Sequence, residues 1–249
     1  MRIIWLACLL LTTATRADWN VRTASQEEAS PRYTVLQEGG QQVVKGLCID
    51  ILRAIERTDP QIHFTGSQPL PLPRLLKLLE VGQLDAFACL TRNTERDALF
   101  QYVDIALFEV SYRMAVRKND PVLVGSFDDI RRLGKEGLIL ANRGTGTVNI
   151  LEAQGGLQID ATGIDQHENL RKLIAGIGRF YYRHDLGLEA EIAESGFGDS
   201  VQLLPATFDR QKQFLVLSRQ VPLELVNRLR TALSRLRDSG ELAKLRSRY

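Results

Sequence analysis

Short apolar runs of strand length alternate along this chain with stretches whose apolar residues recur every three or four positions. Residues 21–25 form a strand-like run. Gly46-Leu47-Cys48-Ile49-Asp50 leads into Ile51-Leu52-Arg53-Ala54-Ile55 at helical spacing, and Pro60 stops that helix. Ile62-His63-Phe64 starts the next strand. Pro73 opens a helix through Glu80, with Leu75, Leu76 and Leu79 on one face. Residues 84–89 read as a buried strand, followed by Thr91, a turn and Arg96. Strand, helix and strand in this order predict a parallel α/β sheet.

A second unit begins near Ser111. Residues 112–116 are extended, and Phe127-Asp128-Asp129-Ile130 opens a short helix. Leu138-Ile139-Leu140-Ala141 is a strand that runs into Arg143-Gly144-Thr145-Gly146-Thr147. Residues 167–174 are helical. Phe180-Tyr181-Tyr182 is a strand ending at His184-Asp185. Residues 201–204 and 214–217 are further apolar runs. A last amphipathic helix starts at Pro222, carries Leu225, Val226, Leu229, Leu233 and Leu236 on one face, and ends at Gly240.

Residues 1–17 have the form of a removable secretory leader. Arg2 gives a positive start, residues 3–11 a short apolar core, and Thr15-Arg16-Ala17 small residues for cleavage. The apolar run is far short of the ~20 residues a membrane span needs. The whole chain has 32 basic and 30 acidic residues, and the leader holds Arg2 and Arg16 with no acid, so the remainder balances. That balance argues against nucleic acid as partner. Beyond Cys8, only Cys48 and Cys89 remain, which is neither a disulfide framework nor a zinc pattern. No cofactor or metal is expected. Whether the two cysteines pair is left open.

Arg96, just past a strand end, can grip a carboxylate with two parallel hydrogen bonds, and Thr91 can satisfy the rest of the anion. It could equally cap a helix or pair with Asp97 or Asp104. Gly144 and Gly146 let backbone approach a ligand, and a helix N-terminus behind them offers free N–H groups. Asp185 could bind a cation, or could cap a helix at Leu186. Leu72 could cover a ligand or belong to the core, and Arg74 could add positive charge. The three histidines, His63, His167 and His184, are scattered, with no nucleophile or metal spacing.

In order and spacing, these segments resemble the family 3 extracellular solute-binding proteins, the receptors of polar amino-acid importers. The resemblance rests on Gly46–Asp50, Gly82-Gln83-Leu84-Asp85-Ala86, Thr94-Glu95-Arg96, Arg143–Thr147, Gly178-Arg179 through Asp185, and Ala232-Leu233 to Ser239-Gly240-Glu241-Leu242. It implies a two-lobed α/β periplasmic binding protein fold of type II, with parallel or mixed sheets flanked by helices. Lobe 1 would comprise residues 18–108 and 216–249, and lobe 2 residues 109–215, with crossings near 107–111 and 213–217. It also implies a ligand site in the interlobe cleft. Arg96 would bind the carboxylate, with Thr91 and Cys89 at the strand end and Leu72 over the ligand's side chain. Asn142, Thr145, Gly146 and Thr147 would hold the carboxylate from lobe 2. Asp185, beside His184, would pair with an α-ammonium.

The chain departs from that pattern in two respects. Gln26 falls near the place of a first-lobe acid, followed by Glu27 and Glu28, and Phe180 replaces a second acid. The expected function is a periplasmic, monomeric receptor delivering a carboxylate-bearing solute to the membrane permease of an ABC importer. The alternatives are an enzyme on the same scaffold, of the cyclohexadienyl or prephenate dehydratase type, and a ligand-sensing module.

Overall fold

A computed structural model describes residues 18–249 except Glu28, Gly144 and Asp165. The expected leader and the candidates Glu28 and Gly144 lie outside the described residues. The chain opens with β1 (Trp19–Arg22), β2 (Ser25–Gln26) and a hairpin of β3 (Thr34–Glu38) and β4 (Gln41–Lys45). There follow α1 (Leu47–Thr58), β5 (Ile62–Thr65), β6 (Pro69–Leu70), α2 (Leu72–Glu80), β7 (Ala86–Thr91) and the short α3 (Thr94–Leu99). Next comes the long strand β8 (Phe100–Arg117). Beyond it lie α4 (Phe127–Arg132), β9 (Ile139–Leu140), α5 (Gly146–Gln154), β10 (Ile159–Asp160), α6 (Gln166–Ile174), β11 (Phe180–His184), α7 (Asp185–Ser195) and β12 (Val201–Leu203). The chain closes with β13 (Asp209–Ser218), α8 (Leu223–Asp238) and α9 (Glu241–Arg246).

The periodic segments fold as their apolar faces require. Helix α1 buries Leu47, Ile51, Leu52 and Ile55, and α8 buries the five apolar residues of its predicted face. The two helices pack together, and α8 also lies against β8. Parallel pairing joins β1 to β5, β2 to β6, and β9 to both β10 and β11. The sheet is mixed, because β8 and β13 pair antiparallel with each other and with their other neighbours.

The largest sheet runs β10-β9-β11-β8-β13-β7, with β12 also on β8. β8 and β13 pair from Tyr112–Asp209 to Phe100–Ser218. β7 takes the Gln213–Leu217 end of β13, while β11 and β12 take the Tyr112–Arg117 end of β8. Between those ends, among the described residues, Val110 and Ser111 of β8 have only β13 beside them, and Arg210 and Gln211 of β13 have only β8. The connection is there two strands thick; on β13 this stretch lies ahead of residues 213–217, which pair with β7 as well.

β8 and β13 are longer than their apolar runs, since 7 of the 18 residues of β8 and 5 of the 10 of β13 are partly or fully exposed. The β3–β4 hairpin was not expected. Its residues are mostly exposed, so it has no apolar rhythm to betray it, and it turns on Gly39 and Gly40, both at positive φ. No helix among the described residues is long and apolar enough to cross a membrane.

Candidate functional site

A cavity of about 330 Å³ lies where the ends of β2, β7 and β11 meet the starts of α2 and α5. Ten of the eleven expected site residues line it: Gln26, Leu72, Cys89, Thr91, Arg96, Asn142, Thr145, Gly146, Thr147 and His184. Asp185 does not. A second depression, of about 560 Å³, is lined by Arg117, Asp120, Glu136 and Arg179 among others. These four charges already pair with one another, and none of the expected residues is there.

Arg96 sits on α3, whose first turn is fixed by Asn93, the side chain accepting from the Arg96 N–H at 2.8 Å. The Arg96 guanidinium donates to the Thr91 carbonyl at 2.9 Å and to Thr91 Oγ1 at 2.7 Å. Tyr102 donates to the same carbonyl at 3.0 Å. Asp97 and Asp104, the acids that could have neutralised Arg96, pair with Arg92 instead, at 2.7 and 2.6 Å. Arg96 has no carboxylate partner among the described residues, and burial pulls its guanidinium below the ordinary value.

The strand end below it carries a bulge. β7 uses three steps from Leu90 to Phe87 where β13 uses two, and Cys89 takes a left-handed φ of 65° at that point. Cys89 is bonded to Cys48 on α1, with Cα atoms 6.1 Å apart. This settles whether the two cysteines pair. Cys89 has its sulfur committed, and its carbonyl points to a second arginine, Arg32, 3.4 Å from Nη1.

Sequence reasoning missed Arg32. It stands in a stretch without periodicity, and only the start of α1 fixes it. The Leu47 and Cys48 N–H groups donate to the Pro31 and Arg32 carbonyls, both at 3.1 Å. Gly46, at φ 122°, permits this approach, because a Cβ there would lie 2.6 Å from both carbonyl oxygens. Tyr33 anchors the other side, its hydroxyl donating to the Ala88 carbonyl at 2.9 Å and its ring stacked on Phe87. Arg74, expected nearby, is exposed and away from the cavity lining.

Across the cavity, Thr145 closes the loop by donating to the Asn142 carbonyl at 2.8 Å. Gly146 and Thr147 begin α5, so their N–H groups have no intrahelical partner. Asn142 Oδ1 accepts from Asn169 at 2.6 Å and lies 2.9 Å from the Tyr181 hydroxyl, which also reaches Glu191 at 3.0 Å. Glu191 pairs with Arg183 at 2.5 Å. Burial lifts the Glu191 carboxyl above the usual carboxylate range, against the pull of Arg183 and the Tyr181 hydroxyl.

At the end of β11, His184 lines the cavity and caps α7, its Nδ1 accepting the Gly187 N–H at 2.9 Å. Burial, then the charges of Arg32, Arg183 and Arg246, pull its pKa well down, so the ring is neutral with its proton on Nε2. Asp185, the next residue, is engaged elsewhere. It accepts from the Ser111 N–H at 3.2 Å and the Leu186 N–H at 2.8 Å, and faces Arg246 at 3.5 Å. The register places the histidine, not the aspartate, on the cavity.

Leu72 is half-buried, lining the cavity while packing on the core. Glu27 lines the cavity beside Gln26 and is exposed. Tyr112, Tyr182 and Gln213 also line it and were not foreseen. All sit on strands beside apolar residues, where a polar side chain reads as ordinary packing.

The fold and cavity together define a periplasmic binding protein of type II, and the comparisons with known proteins agree. The model of the bacterial extracellular solute-binding proteins, family 3, matches residues 22–249, and the chain belongs to that family. No curated protein matches it in sequence. Among solved structures, a probable amino-acid ABC transporter extracellular-binding protein of Bacillus subtilis superposes with a TM-score of 0.78 at 14% identity, over 92% of this chain and 96% of that one. An amino acid ABC transporter substrate-binding protein of Streptococcus pneumoniae, bound to L-arginine, gives 0.72 at 15% identity, over 91% and 92%. A histidine kinase sensor domain similar to periplasmic binding proteins gives 0.74 at 16%, over 93% and 96%. At such identities the likeness is one of fold.

Proposed function

We propose that this chain is the periplasmic receptor of an ABC importer and captures a small carboxylate-bearing solute in the 330 Å³ cavity. The observation that carries this reading is Arg96, held by Thr91 at the cavity wall and without a carboxylate of its own among the described residues. A guanidinium so placed offers a fork to a ligand carboxylate. The free N–H groups of Gly146 and Thr147, opposite, suit the same anion.

Residues 18–108 with 216–249 form one lobe in this reading, and residues 109–215 the other. The two-stranded stretch of β8 and β13 serves as the hinge, and closure brings Arg96 and the α5 start onto one ligand. The chain is secreted through a leader at residues 1–17 and works as a monomer with a membrane permease as its partner. The structures similar to it include amino-acid ABC transporter receptors, which supports this assignment. A binding role also suits His184, whose Nδ1 is held by the Gly187 N–H and is therefore unavailable as a base.

Titration calorimetry tests the reading directly. Arg96→Ala is expected to weaken carboxylate binding by about a hundredfold or more, a charge-assisted bidentate contact being lost. Affinity like that of the unmodified protein would sink the assignment.

A further inference from the structure

Besides the exposed Arg143, the cavity lining holds two cationic centres, and they are differently placed. Arg96, with Thr91, forms one, on α3 and the end of β7. Arg32 and Arg183, beside the neutral His184, form the other, by the bulge of β7 and the end of β11. Tyr112, on β8, is near enough to both to feel the charges of Arg32 and Arg96.

The charge of Arg183 is answered by Glu191, itself 2% exposed. That of Arg32 is not, among the described residues. Its Nη1 meets only the Cys89 carbonyl, at 3.4 Å, and its Nε, which is buried, has no partner among them. A half-buried guanidinium with one long contact is unfavourable unless something completes it.

Little in the cavity suits a cation. The strand-end side chain on its wall is the imidazole of His184, and Asp185 is turned to Ser111, Leu186 and Arg246. Among the described residues, Glu27 is the one acid on the lining, and it is exposed.

We infer that the solute is a small dicarboxylate, one carboxylate held by Arg96 and Thr91 and the other by Arg32, and that no ammonium is recognised. This rests on the receptor reading above and names the class of solute.

The test is titration calorimetry of the purified protein with malonate, succinate, glutarate, adipate, butyrate, L-glutamate and L-arginine. The best dicarboxylate is expected to bind about 100-fold more tightly than butyrate, as a second charge-assisted contact requires. L-glutamate is expected to bind no more tightly than glutarate, and L-arginine not detectably. Butyrate equal to the best dicarboxylate would overturn the inference, and so would L-glutamate or L-arginine binding about tenfold more tightly than any of them. Either result leaves a carboxylate receptor standing. Failure of every acid in the set overturns both readings. In Arg32→Gln, the best dicarboxylate is expected within about threefold of butyrate. An undiminished preference in that variant overturns the role of Arg32.

Discussion

Single side chains divide here into those that face the cavity and those that hold its walls. Asp185 lies one residue beyond the strand end and belongs to the second group, with Ser111, Leu186 and Arg246 around it. Asp185→Asn is therefore expected to leave affinity within about twofold for every carboxylate, amine-bearing or not, since partly exposed ion pairs contribute little. Calorimetry against glutarate and L-glutamate checks this. Asn142 lies on the cavity but works behind it. Its Oδ1 accepts from the buried Asn169 amide and lies beside the Tyr181 hydroxyl. Asn142→Ala should cost about 1–2 kcal/mol in urea unfolding, because the Asn169 amide loses its acceptor in a buried place while Tyr181 keeps Glu191.

Two element-scale devices shape the cavity wall. One is the α7 cap. The unfolded imidazole titrates near the ordinary ~6.5, whereas burial and three arginines hold the folded His184 well below that. As pH falls through that ordinary value, the unfolded chain takes up a proton that the folded chain refuses. His184 thus lowers stability on acidification, by at most about 1.4 kcal/mol per pH unit, and contributes nothing to the pH dependence at alkaline pH. His184→Asn retains a capping acceptor without the titration. Its melting temperature should fall less steeply between neutral and mildly acid pH than that of the unmodified protein.

The other device is the Cys48–Cys89 bond, which ties the β7 bulge to the start of α1, where the Arg32 carbonyl is also anchored. It closes a loop of 41 residues. Replacing both cysteines by serine should lower unfolding free energy by about 3–4 kcal/mol, as loop-closure entropy gives for that length. It should also weaken solute binding, because the Cys89 carbonyl would no longer be fixed beside Arg32. Urea unfolding and calorimetry on one variant read both effects.

Over the whole molecule, the two-stranded stretch of β8 and β13 is the feature with mechanical meaning. Bending two strands disturbs few packed contacts, whereas shearing a wide sheet disturbs many. Saturating solute is expected to reduce the radius of gyration in small-angle scattering, while secondary structure by circular dichroism stays constant. An unchanged radius with bound solute would count against closure.

The sequence by itself determined the alternation of elements, the family and most of the cavity wall. Apolar rhythm decides which face of α1 or α8 is buried, and glycine and threonine at a helix start announce free N–H groups wherever they occur. Arg96 was legible for the same reason, because its strand, cap and turn are local. The tertiary structure alone decided three things. It joined Cys48 to Cys89, brought Arg32 from an aperiodic stretch to the cavity, and put His184 rather than Asp185 on the wall. Each depends on which residues meet across the fold, or on a strand's register, where a shift of one residue exchanges the two faces. Neither is recorded in the local pattern of hydrophobic and polar positions.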